Sequence, residues 1–156
     1  MIFIQDNING SLSREVISSA EAKFGTLPSD YLEFISKHNG SELAQTSVIQ
    51  VRTKDGEIEW CGVERIGGLE SRRGLQGLDL QTEFWKEDYP PMTIPVATDG
   101  SGSTYIMCLR DELNGAVFFV DHERASEEQS NLSMLPKVAD SFGEFLSQIR
   151  DRAPED

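Results

Sequence analysis

The order of local patterns along the chain predicts an α+β fold: an antiparallel sheet of about five strands in two hairpin or meander blocks, packed with two N-terminal helices and one C-terminal helix. Three observations carry this. Apolar residues recur at helical spacing near both ends of the chain. Between them the hydrophobic period drops to two. Gly-containing turn sequences separate the period-two runs.

The first helix is expected over residues 13–25. Ser13 suits an N-cap, Glu15 falls in the first turn where the dipole favours acid, and Gly25 suits the position just past the end. Val16, Ile17, Ala20 and Phe24 form its apolar stripe. Leu27-Pro28-Ser29-Asp30-Tyr31 opens the second helix, because proline tolerates the first turn, where its missing N–H has no partner to lose. Tyr31, Phe34, Ile35 and His38 share one face, and Asn39-Gly40 ends the helix. The short connection predicts that the two helices pack as a hairpin.

Runs 47–53 and 57–63 flank Lys54-Asp55-Gly56, and Asp-Gly predicts a type I′ hairpin turn. Ile58 and Trp60 alternate with Glu57 and Glu59, which gives the second run one apolar face. Residues 67–92 read as a long loop with one or two helical turns, and loops of this length are often functional. The second block has strands over 94–98, 104–109 and 116–120, with turns at Asp99-Gly100-Ser101-Gly102 and Asn114-Gly115. Residues 121–136 read as polar and irregular. In the last helix Ser141 and Glu144 are spaced as a capping box, and Phe142, Phe145, Leu146 and Ile149 form the buried stripe. The expected core is Val16, Phe24, Tyr31, Phe34, Ile35, Trp60, Ile94, Val96, Ile106, Phe118, Phe142, Phe145 and Ile149.

At 156 residues, the chain fits a single domain over 1–156 with a frayed tail at 151–156, long enough to bury a core without staples. The charge is lopsided. Residues 1–78 carry 11 acids and 8 bases, net −3; residues 79–156 carry 16 acids and 6 bases, net −10; the total is −13. Such a surface repels phosphate backbones and anionic membranes and attracts basic proteins. Direct nucleic-acid or membrane binding is therefore not expected. Cys61 and Cys108 lie in apolar runs and read as buried, reduced thiols. The N-terminus lacks a basic region followed by a long apolar run, and no stretch nears the ~20 apolar residues of a membrane helix. A soluble, cytoplasmic protein is expected.

Motifs for chemistry are weak. Asp99-Gly100-Ser101-Gly102-Ser103 lacks the Lys of a phosphate-binding loop, the spacing and following helix of a dinucleotide fingerprint, and all but one carboxylate of a calcium loop. A Gly-rich β-turn accounts for it. Asp121-His122-Glu123 could seed a metal site or, with Ser101 or Ser103, a hydrolase triad, but the chain has only two histidines and no Gly-x-Ser-x-Gly elbow. His38 reads as a satisfied core histidine, and Glu57 and Glu59 as a solvated strand face. No catalytic residue, metal or cofactor is expected.

Several segments together resemble the SUKH superfamily. Leu27-Pro28-Ser29-Asp30-Tyr31-Leu32-Glu33-Phe34 with Asn39-Gly40 resembles its "LPxDYxxFL…NGG" opening, and the helix ending Ala20-Glu21-Ala22-Lys23-Phe24-Gly25 precedes it similarly. Ile94-Pro95-Val96-Ala97-Thr98-Asp99-Gly100-Ser101-Gly102 looks like "PIAxDGxGN". Ala116-Val117-Phe118-Phe119-Val120-Asp121-His122-Glu123 resembles "GxVYFWDHE", and Val138–Leu146 is similar to the closing "xAxSFxEFL". The resemblance runs over about 12–150, with Ser41 and Ser103 as departures from a frequent Gly and Asn. It implies a compact α+β domain without catalytic activity. Bacterial members are immunity proteins that bind and neutralise toxin domains, often nucleases, of contact-dependent or polymorphic toxin systems. Fungal relatives are interaction hubs in cell-wall signalling, so a regulatory or scaffold module is the alternative.

The partner implied is a basic toxin domain, met by a monomer or weak dimer. The residues placed on the partner face are Asp79, Glu83, Trp85, Glu87, Asp88 and Tyr89 in one irregular segment, and Asp121, Glu123, Glu127 and Glu128 in the other. Acid beside aromatic anchors suits a basic partner. Trp60, on an apolar strand face, is expected in the core.

Overall fold

The structure, a computed structural model, describes residues 1–69, 89–124 and 126–151. The chain runs β1 (Phe3–Gln5), α1 (Arg14–Phe24), α2 (Ser29–Lys37), β2 (Ser41–Leu43), β3 (Ser47–Arg52), β4 (Ile58–Gly62), β5 (Arg65–Ile66), β6 (Thr93–Thr98), β7 (Thr104–Cys108), β8 (Val117–Val120), a single turn α3 (Ser126–Gln129), β9 (Lys137–Ala139), α4 (Phe142–Gln148) and β10 (Arg150–Asp151). Short 3₁₀ turns lie at Asp111–Leu113 and Leu132–Met134. One sheet has the order β1-β2-β5-β6-β7-β8-β9 and the other β10-β3-β4, with every described ladder antiparallel.

The α+β class is as expected, but there are ten described strands rather than about five, in two sheets rather than one. The additional strands, β1, β2, β5, β9 and β10, span two or three residues each. Runs that short carry no readable period.

The caps follow the sequence. The Ser13 hydroxyl accepts from Val16 N–H, and Ser141 accepts from Glu144 N–H, both at 3.1 Å. Only half of the expected capping box forms, because Glu144 Oε1 instead accepts from Gln148 Nε2 at 3.1 Å. Helix α2 docks on α4: Tyr31 meets Phe142 edge-on at 4.9 Å, and Phe34 meets Phe142 at 5.5 Å. Both faces of the long sheet are apolar. Tyr105, Met107, Val117 and Phe119 join the cluster that contains α2 and α4 residues, while Ile106, Cys108, Phe118 and Val120 join a second cluster with Leu132 and Leu135. Strands buried on both faces read as continuous apolar runs rather than alternations.

Two expectations need correcting. The β3–β4 turn is not type I′, since Gly56 has φ +88° but Asp55 is not among the positive-φ residues. Gly56 N–H donates to Thr53 O and Thr53 N–H to Glu57 O, which makes a three-residue loop with its glycine in the left-handed region. Trp60 is not core. It is 37% exposed, and Ile58 is 52% exposed. Register decides this: Ile58 pairs with Arg52 and Trp60 with Gln50, while the buried Ile49 and Val51 of β3 pair with Cys61 and Glu59. Alternation in one strand shows that it has two faces; the partner strand decides which of them is buried. Val16, Phe24 and Phe34 are half-buried, packed against the first cluster, and the other expected core residues are buried.

Candidate functional site

The acidic segment after β8 and the β3–β4 hairpin fold beside each other and enclose a groove of about 360 Å³. Its floor is apolar, with Val51, Phe119, Leu135 and Pro136, and Met134 stands at the edge 47% exposed. Asp55 and Glu59 from the hairpin and Asp121 and Glu128 from the post-β8 segment supply four carboxylates, against Lys54 and Arg124. Thr53 also lines the groove, and its Oγ1 is buried without a hydrogen-bond partner among the described residues.

Local hydrogen bonds shape the post-β8 segment. Asp121 Oδ1 accepts from Glu123 N–H at 2.9 Å, and its other oxygen lies 3.9 Å from Arg124 Nε. Gln129 Nε2 donates to Arg124 O at 2.6 Å and closes the loop back on itself. This leaves Glu127 exposed and Glu128 half-buried in the groove wall.

Of the residues assigned to the partner face, Asp121 and Glu128 line this groove. Glu123 and Glu127 are exposed on the same segment, outside the lining. Tyr89 is half-buried against the second core cluster. Asp79, Glu83, Trp85, Glu87 and Asp88 lie outside the described residues. The hairpin contribution was missed. Glu59 was legible as a solvated face, but only the tertiary fold brings it opposite Asp121.

The groups with chemical potential elsewhere are tied up structurally. Ser103 Oγ accepts from the His122 backbone N–H at 3.1 Å and lies 2.8 Å from His122 Nδ1. These two contacts tie the start of β7 to the end of β8. Ser103 is buried, and among the described residues no carboxylate hydrogen-bonds the His122 ring to complete a triad. Asp99 accepts from Ser101 N–H at 2.8 Å and from Ser103 N–H at 3.0 Å, which accounts for the Gly-rich turn. His38 stacks on Phe3 at 4.9 Å and lies 2.7 Å from Asp6 Oδ2 through Nδ1. Burial opposes the Asp6 charge, but hydrogen bonds from Ser41 and His38 and the His38 charge outweigh it and hold the carboxyl below its ordinary value. Among the described residues no group of three or more His, Cys, Asp or Glu is placed to hold a metal, and no described helix is long and apolar enough to cross a membrane.

Both cysteines are free thiols; Cys108 is buried, and Cys61 is half-buried rather than buried as expected. Burial pushes the Cys61 thiol up to about 11, and the Glu59, Asp99 and Asp121 carboxylates add to it. The thiolate is the reactive form, so Cys61 in the native protein is expected to alkylate with iodoacetamide at pH 8 at least about tenfold more slowly than free cysteine. Timed labelling read by mass spectrometry checks this, and an equal rate would contradict it.

A family model described as the SMI1 / KNR4 family (SUKH-1) matches residues 11–148. An SPbeta prophage-derived uncharacterized protein of Bacillus subtilis (strain 168), YokK, is 27% identical over 155 residues, spanning 92% of this chain and 77% of that relative.

Proposed function

Because the chain belongs to the SMI1/KNR4 family, SUKH-1, we propose that it is an immunity protein: a non-catalytic binder that neutralises a toxin domain, a nuclease with a basic substrate face, from a contact-dependent or polymorphic toxin system. The observation that carries the reading is the groove, which joins an apolar floor to a rim of Asp55, Glu59, Asp121 and Glu128. A nuclease is basic where it holds phosphate. The carboxylates steer that face onto the groove, and the net charge of −13 adds to the long-range attraction. Exposed Met134 and the floor beneath it supply the desolvated contact that slows dissociation. Inhibition follows from occupying the substrate face, with no chemical step.

The test is protection. Cells expressing a toxin domain that the chain binds are expected to survive only when the chain is co-expressed. Equal killing with and without the chain, at matched expression, would contradict the reading and favour a scaffold role.

A further inference from the structure

The other face of the same hairpin has the opposite electrostatic character. It borders a groove of about 440 Å³ lined by Arg52, Ile58 and Trp60 of the hairpin, Lys137 and Val138 of β9, and Arg150 of β10, among others. The lining contains no Asp or Glu, although the chain carries 27 acids and 14 bases and the first groove holds four carboxylates. Ile58 is 52% exposed and Trp60 37%. Their register sets Arg52 directly across from Ile58, so cation and apolar side chains share one surface.

We propose that this face is a second docking surface, for an acidic segment of a protein partner that carries an aliphatic anchor. Charge complementarity selects the partner. At physiological salt the Debye length is about 8 Å, so two local arginines, Arg52 and Arg150, outweigh the distant net charge for a ligand in contact. Arg52 Nη1 donates to Gly56 O at 3.2 Å, which holds the guanidinium over the hairpin. Lys137 Nζ lies 2.5 Å from Asp140, so its charge is compensated locally, and Arg52 and Arg150 supply the charge that the partner meets. Ile58 and Val138 offer the apolar contact that an aliphatic side chain fills. A second copy docked face to face would set these cations against their own kind. A nucleic acid would carry its phosphates past the rest of an acidic surface.

The experiment titrates the ¹⁵N-labelled full chain with a decapeptide of Asp and Glu around one central Leu. The expected result is saturable shifts of the Trp60 indole and Arg150 amide signals, with a Kd below about 1 mM. Arg52→Glu with Arg150→Glu should weaken this by about tenfold or more, and the milder Arg52→Gln with Arg150→Gln should weaken it less, both with native signal dispersion. Replacing the peptide's Leu with Ser should weaken it as well. Absence of shifts at these residues, or undiminished binding by the folded charge variants, would overturn the proposal. Stronger shifts from a decathymidylate would overturn it in favour of nucleic acid. Neither Arg52 nor Arg150 lines the toxin groove, so with the glutamine variant toxin protection should persist whichever way this result falls.

Discussion

Phe145→Ala is expected to destabilise the protein by about 3–5 kcal/mol, the range for a buried aromatic truncated to alanine. Phe145 is fully buried, with its ring 5.3 Å from Tyr105 on β7 and 6.0 Å from Phe142 on its own helix. It is a contact through which α4 holds the central sheet, and a cavity there has rigid strands on one side that cannot collapse to fill it. Urea denaturation of variant and parent measures the difference. A loss below about 1 kcal/mol would mean that the last helix does not dock as described.

Asn39→Ala is expected to cost about 2–4 kcal/mol, because each buried partner left unpaired costs about 1–3 kcal/mol. The Asn39 side chain is buried where three chain segments meet: Nδ2 donates to Gly10 O at 3.2 Å, and Oδ1 accepts from Leu69 N–H at 3.0 Å. Its backbone N–H donates to Asn7 Oδ1 at 3.1 Å. Gly68 completes the arrangement, since a Cβ there would fall 1.8 Å from Asn39 Oδ1. Gly68→Ala must therefore displace the amide and should destabilise by a similar mechanism. Denaturation of both single variants and the double variant checks the pair. Coupled residues give a double loss smaller than the sum, and strictly additive losses would contradict the shared mechanism.

The helices and the β6–β7–β8 meander were legible because each carries a full period or a strong turn. Ser13, Gly25, Ser141 and the Asp99 turn all act as their residue types dictate. The central pin at Asn39 was visible only as a helix stop, because its partners Gly10 and Leu69 are distant in sequence. Trp60 was misplaced for a related reason: its face is fixed by the register with Gln50 and by the burial of Ile49 and Val51, none of which its own strand reveals. The same holds for the groove. Asp121 and Glu128 stood out as acids in an irregular segment, but Asp55 and Glu59 joined them only once the hairpin was seen to fold alongside. Charge and composition predict a basic partner, and tertiary contact forms the groove proposed to meet it.

The central claim is that this groove captures a basic toxin domain, and stopped-flow association of that domain tests it most directly. At low salt the parent chain is expected to associate about tenfold or more faster than Asp121→Lys with Glu128→Lys, since charge at an interface acts mainly on the encounter rate. The gap should close as salt shortens the Debye length. Equal association rates at low salt, with the unfolding midpoint of the double variant unchanged, would contradict the assignment of this groove.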